Sequence, residues 1–196
     1  MPFEGEIFRE ASVRISAWNL DKREDQQEKL LIPDYRRWAA QELTKEMLDQ
    51  KVTLEYDQQG KPHLKGFVMG CSVSHCRNKL VVGLNEVGPI GIDLEEVRPV
   101  VQRVKNKFLS DSELGRFPEM DKALLTLCWG VKESAYKWNG RKGLSLKRDI
   151  EIISGISGLN GHGKVRINTG KFFEELSFRF MFSGNSVLVY SVKNEI

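Results

Sequence analysis

Along this chain, short apolar runs with the period of a strand alternate with polar turns, and wider helical spacing is confined to a few stretches. VRISAW at 13–18 and VTLEY at 52–56 have strand patterning. Between them, IPDYRRWAAQELTKEMLDQ at 32–50 reads as a helix, with Pro33 placed to open it. After a DQQGKP turn, FVMGCSVS at 67–74 and KLVVGL at 79–84 predict two further strands, and NEVGP leads into IGIDLE at 90–95.

The second half repeats the order of helix and then meander. Helical spacing fills about 101–139, and DIEII, KVRIN at 164–168, ELSFRFMF and SVLVYSV follow as strands. Ser-Gly-Asn-Ser at 183–186 makes the last pair a hairpin. The glycine-rich SGISGLNGHGK at 154–164 lacks a phosphate-loop pattern and reads as a loop between strands. These elements predict an α+β protein of two pseudo-symmetric halves, 1–97 and 98–196, with a seam around Pro99, although no residue-level repeat accompanies the order.

Composition narrows the field. The chain has 196 residues, enough for a sizeable core, and no apolar window approaches the roughly 18 residues of a membrane span. MPFEGEIFRE lacks the segments of a signal peptide, and Cys71, Cys76 and Cys128 form neither a CxxC nor a zinc spacing. A cytoplasmic protein with free thiols is expected. A net charge of +3 is too mild for a dedicated nucleic-acid binder. Two local basic clusters stand out: Arg103, Lys105 and Lys107, and Arg141, Lys142, Lys147 and Arg148.

Two acids interrupt the apolar run at IGIDLE. On a strand, Ile90, Ile92 and Leu94 share one face, and Gly91, Asp93 and Glu95 share the other. The α-carbons of Asp93 and Glu95 then lie roughly 6.5–7 Å apart, so both carboxylates can converge on a hard cation, with Gly91 leaving the approach open. By itself such a pair is also compatible with an exposed strand face. In TLCWGVKESAYKWNG at 126–140, Leu124, Cys128, Val131, Ala135 and Trp138 gather on a core face of the helix. Trp129, Glu133 and Lys137 stack on the opposite side, with Lys132 and Tyr136 beside them. Glu133 and Lys137 could form a plain surface ion pair. Joined to Asp93 and Glu95, they give three carboxylates and a lysine without a histidine or cysteine cluster, which suits Mg²⁺ on a phosphate ester or anhydride.

GIDLE at 91–95 followed by WGVKESAYK at 129–137 resembles the two signature motifs of 4'-phosphopantetheinyl transferases, G-x-D-x-E and W-x-x-K-E-[AS]-x-x-K. QQGKPHL at 58–64, SVSHC at 72–76, KFLSDSEL at 107–114 and RKGLSL at 141–146 are similar to further segments of that family. Length and pattern fit the larger, monomeric type that activates synthetases. Cys76 stands where the family usually has serine, and Gln41 stands where its first helix often carries an arginine.

The resemblance implies two similar α+β halves with coenzyme A in the cleft between them. It implies transfer of 4'-phosphopantetheine from coenzyme A to a serine of an apo acyl or peptidyl carrier protein, in fatty-acid, polyketide or nonribosomal peptide synthesis. Asp93, Glu95 and Glu133 are then expected to hold Mg²⁺, Glu133 to take the serine proton, and Lys137 to neutralise developing charge. Lys61 and Pro62 at the GKP turn, with Ser74 and His75, match positions that contact coenzyme A. Arg103, Lys105 and Lys107 form a candidate docking surface for an acidic carrier. Two other readings share these residues: a non-catalytic coenzyme A or carrier-binding module, and a magnesium-dependent hydrolase of nucleotide anhydrides. Glu113, three residues after Ser110, also reads as half of a capping box.

Overall fold

The computed structural model describes residues 3–22, 31–117, 119–140, 142–170 and 172–193. The chain divides into two compact units, residues 1–89 and 90–196. Each is built of antiparallel strands and helices, the α+β class expected from the sequence. The sequence placed the division at Val97, but strand 90–96 pairs with strand 186–193 of the second unit, so the boundary falls before Ile90.

In the first unit, β1 (Phe3–Glu10), β2 (Val13–Asn19), β6 (Lys79–Asn85) and β5 (Gly70–Cys76) form a sheet in the order β1-β2-β6-β5. β3 (Leu54–Tyr56) and β4 (Pro62–Leu64) make a separate hairpin. Helix α1 (Ile32–Leu48) carries Pro33 in its first turn. Its Tyr35, Ala39, Leu43 and Met47 recur at the 3.6-residue period and pack with Trp18, Leu80, Val82 and Leu84 of the sheet. Gln41 is spent on backbone: its amide donates to the Val52 carbonyl at 2.7 Å and accepts from Leu54 N at 2.7 Å, pinning α1 to the start of β3.

In the second unit, β7 (Ile90–Glu96) is an edge strand of a sheet ordered β7-β11-β10-β9-β8. The others are β8 (Ile150–Ser154), β9 (Asn160–Asn168), β10 (Phe173–Ser183) and β11 (Ser186–Lys193). β10 and β11 form the expected hairpin, turning at Gly184, whose φ of +57° suits a residue without a side chain. β9 starts four residues before KVRIN, inside the stretch read as a loop. Gly161 and Gly163 disguise it: a Cβ on either would meet the ring of Phe180 or Phe178, so aromatic side chains of β10 occupy the space the glycines leave.

The long helical stretch resolves into α2 (Val100–Phe108), α3 (Asp111–Arg116) and α4 (Lys122–Asn139). The Ser110–Glu113 capping box opens α3, and Gly140, in the left-handed region, closes α4 by donating to the Tyr136 carbonyl. One face of the sheet packs against α4. Val187 and Val189 of β11, Phe178 and Phe180 of β10, and Val165 and Ile167 of β9 meet Leu127, Cys128, Val131 and Ala135. The expected core face of α4 thus needs adjustment, because Leu124 and Trp138 are half-buried while Leu125 and Leu127 are buried. Lys132, read beside the polar stripe, is fully buried because Glu113 and two carbonyls replace its water. No described helix is long and apolar enough to cross a membrane.

Candidate active site

The register between β7 and β11 pairs Asp93 with Val189 and Gly91 with Ser191, so the acids share the face on which α4 lies. Gly91 is what lets the helix approach. A Cβ there would overlap the Ser134 carbonyl oxygen and the Trp138 amide nitrogen, and one on Gly130 would stand 2.9 Å from a methyl of Val189. The space above Gly91 is therefore filled by helix backbone rather than left open for a ligand, which corrects the reading from the sequence. Ser134 and Ser191 share a buried hydrogen bond of 2.7 Å across the same contact.

This close packing turns Trp129, Glu133 and Lys137 towards β7 instead of solvent. Lys137 Nζ donates to Asp93 Oδ1 at 2.7 Å, and Trp129 Nε1 donates to Glu95 Oε1 at 3.0 Å. The Asp93 side chain is 4% exposed and that of Lys137 29%, so the pair is closed on the strand side and partly open on the helix side. Arg98 approaches Glu95 at 4.0 Å, and Trp129 meets Phe108 edge to face. A cavity of about 160 Å³ adjoins this place, lined by Glu95, Arg98, Val101, Val104 and Trp129.

Electrostatics tie the three acids together. Burial pushes the Glu95 carboxyl up to about 7, the Asp93 charge adds to the rise, and the Trp129 hydrogen bond and Lys137 oppose it. Glu133 is likewise raised, by burial first and Asp93 second, with Lys137 in opposition. A divalent cation would relieve this mutual repulsion, and an all-oxygen donor set with a partly open side fits Mg²⁺ in kind. Among the described residues, however, no three His, Cys, Asp or Glu side chains already stand in a ligating arrangement. The acids are charge-coupled, with Lys137 on Asp93, rather than gathered into a finished cage.

The candidates for contact with coenzyme A lie in the first unit. Lys61 precedes β4, which Pro62 opens, and the Asp57 carboxylate accepts from the Lys61 backbone N–H to fix the GKP turn. Burial lowers the Lys61 ammonium, with Asp57 opposing. Ser74 is buried and His75 exposed on β5, close to the turn into β6. Arg103, Lys105 and Lys107 are exposed on α2; Arg141 lies outside the described residues. Two features escaped the sequence reading: Trp129 as the donor to Glu95, and the buried Glu113–Lys132 pair. The tryptophan, four residues before Glu133, was the available signal for the first, and the Ser110 capping pattern concealed the second.

Residues 89–183, which contain Asp93 and Glu95 of β7 and Trp129, Glu133 and Lys137 of α4, match the family model of the 4'-phosphopantetheinyl transferase superfamily. No curated protein matches the chain.

Proposed function

Starting from a 4'-phosphopantetheinyl transferase superfamily domain, and hence a transferase, in residues 89–183, we propose that this chain moves 4'-phosphopantetheine from coenzyme A to a serine of an apo acyl or peptidyl carrier protein. The observation that carries the reading is the Asp93–Lys137 contact of 2.7 Å, with Glu95 and Glu133 charge-coupled to the same aspartate. This is a half-buried place for a phosphate-bearing ligand, with anionic and cationic groups both at hand.

In the proposed reaction the serine oxygen bonds to the phosphorus that carries pantetheine. The bond from that phosphorus to the bridging oxygen breaks, and adenosine 3',5'-bisphosphate leaves. Asp93, Glu95 and Glu133 would hold Mg²⁺, which when bound supplies charge neutralisation on the pyrophosphate. Glu133, whose raised carboxyl holds a proton more readily than an exposed glutamate, takes the serine proton. Lys137 is close enough to Asp93 to exchange that contact for the charge building on the leaving phosphate. Trp129 holds Glu95 in one orientation. Lys61, Pro62, Ser74 and His75 are proposed to contact coenzyme A, with His75 able to make a charge-assisted bond to a phosphate when protonated. The exposed Arg103, Lys105 and Lys107 suit an acidic carrier.

The test is mass spectrometry of a panel of apo fatty-acid, polyketide and peptide carriers incubated with coenzyme A and Mg²⁺. A mass gain of one phosphopantetheine is expected with the wild type, falling by about 100-fold or more in Asp93→Ala. Release of adenosine 3',5'-bisphosphate without a carrier would favour the hydrolase, and tight binding of coenzyme A without turnover the binding module.

A further inference from the structure

The proposed chemistry makes no use of Glu113 or Lys132, although theirs is the most deeply buried ion pair among the described residues. We propose that this pair is a positioning device that fixes the rotation of α4 about its axis, and so holds Glu133 and Lys137 against Asp93. The inference rests on the transferase reading of those acids.

The bonds converge on one flank of the helix. Lys132 Nζ donates to Glu113 Oε2 at 2.7 Å, to the Leu146 carbonyl at 2.9 Å and to the Ile150 carbonyl, which fills its three donors. Glu113 in turn accepts from Ser110 N at 2.8 Å and from Ile152 N at 2.9 Å. One ammonium therefore ties α4 to the first turn of α3, to the segment before β8 and to β8 itself. Glu133 is the next residue, about 100° round the helix and turned towards β7.

On the side of β7 and β11 the backbone contact is smooth, because Gly91 meets helix backbone and Gly130 a methyl of Val189. Of the three side-chain bonds across it among the described residues, those of Trp129 to Glu95 and Lys137 to Asp93 belong to the site itself, which leaves Ser134 to Ser191 as the independent one. Smooth surfaces set the distance between helix and strand but resist rotation weakly. A rotation of about 20° moves a group at the helix rim, about 5–6 Å from the axis, by about 2 Å. Misplacement of a reacting group by about 1 Å can cost about 100-fold in rate. Buried ion pairs are in general poor stabilisers compared with apolar residues of like volume, so directional constraint is the contribution that well-packed substitutes would lack.

The double variant Glu113→Leu/Lys132→Met removes both charges and refills the space. In the full chain, three quantities are compared with wild type: the melting temperature, Mn²⁺ affinity in the presence of coenzyme A, and steady-state transfer to an apo carrier. The positioning role predicts a melting temperature close to wild type, Mn²⁺ affinity weaker by about 10-fold, and kcat lower by about 30-fold or more with KM for the carrier little changed. Mn²⁺ affinity and kcat within about threefold of wild type, at an unchanged melting temperature, would overturn it. Should the double variant fail to fold, Glu113→Gln keeps the shape and one carbonyl acceptor. It is expected to fold and to weaken Mn²⁺ binding and kcat several-fold, and wild-type values for both would overturn the proposal. If the wild type modifies no carrier, the transferase reading fails separately, and the Mn²⁺ comparison still decides the positioning role; a wild type that binds no Mn²⁺ overturns both.

Discussion

Lys132 and Lys137 belong to the same helix, and each meets a buried carboxylate at 2.7 Å, yet their surroundings differ. Lys132 is 0% exposed with all three donors committed, and Glu113 is equally enclosed. Lys137 is 29% exposed, and its partner Asp93 sits between two other acids whose carboxyls are raised. A saturated, water-free pair has nothing left to offer a ligand and can only hold structure. A half-open pair beside unrelieved negative charge can exchange partners when a phosphate or a cation arrives. The five positions separating the two lysines, about 140° round the helix, divide architecture from chemistry.

Single substitutions test that division most severely. Lys132→Met leaves Glu113 buried without its counter-charge and is expected to destabilise the fold by about 3–5 kcal/mol in denaturant titration. Lys137→Met, at a position open to water, is expected to cost about 1 kcal/mol while lowering transfer by about 100-fold. Equal losses of stability from the two variants would erase the distinction.

The second effect concerns what brings the half-open pair together. Gly91→Ala places a methyl against the Ser134 carbonyl and the Trp138 amide, which belong to helix backbone and have little room to yield. A loss of about 1–3 kcal/mol is expected from overpacking, with Lys137 drawn away from Asp93 as α4 lifts. The same substitution would be nearly neutral for stability if Gly91 merely kept a ligand channel clear.

That glycine also marks how far the sequence could be read. The alternation of β2, the short continuous apolar runs of β6 and β11, and the paired motifs on β7 and α4 were legible because run length, period and spacing are local properties. β1 was not: its pairing with β2 shifts register between Phe3 and Gly5 and again between Glu6 and Phe8, which scrambles the alternation. β9 was cut short because Gly161 and Gly163 borrow their apolar cover from Phe180 and Phe178, residues distant in sequence. In the site, the grouping of Asp93, Glu95, Glu133 and Lys137 was visible, but the cause of their meeting was not. An amphipathic helix plot assigns Trp129, Glu133 and Lys137 to the polar side, and only the tertiary contact at Gly91 and Gly130 shows that this side faces β7. Lys132 was misread for the reverse reason, since a lysine is taken as exposed unless its buried partner is known.

The smallest effect tests whether the open pair is built for a cation. Glu95 has its carboxyl pushed up to about 7 in the fold, against an ordinary value near 4.5. The folded state therefore holds this proton more tightly than the unfolded chain. Stability contributed by the protonated form is fully present below about pH 4.5 and is lost as pH rises through about 7. In EDTA, wild-type melting temperature should fall across that window, while Glu95→Gln, which cannot ionise, should fall less and exceed wild type at pH 8. Solvent access to Glu95 limits the difference to about 1 kcal/mol. Adding Mg²⁺ at pH 8 should then raise the wild type more than Glu95→Gln, because a cation recovers the free energy lost when the carboxylate ionises next to Asp93. Equal responses of the two proteins to Mg²⁺ would remove Glu95 from the proposed metal site and leave it a carboxyl held by Trp129 alongside the reacting groups.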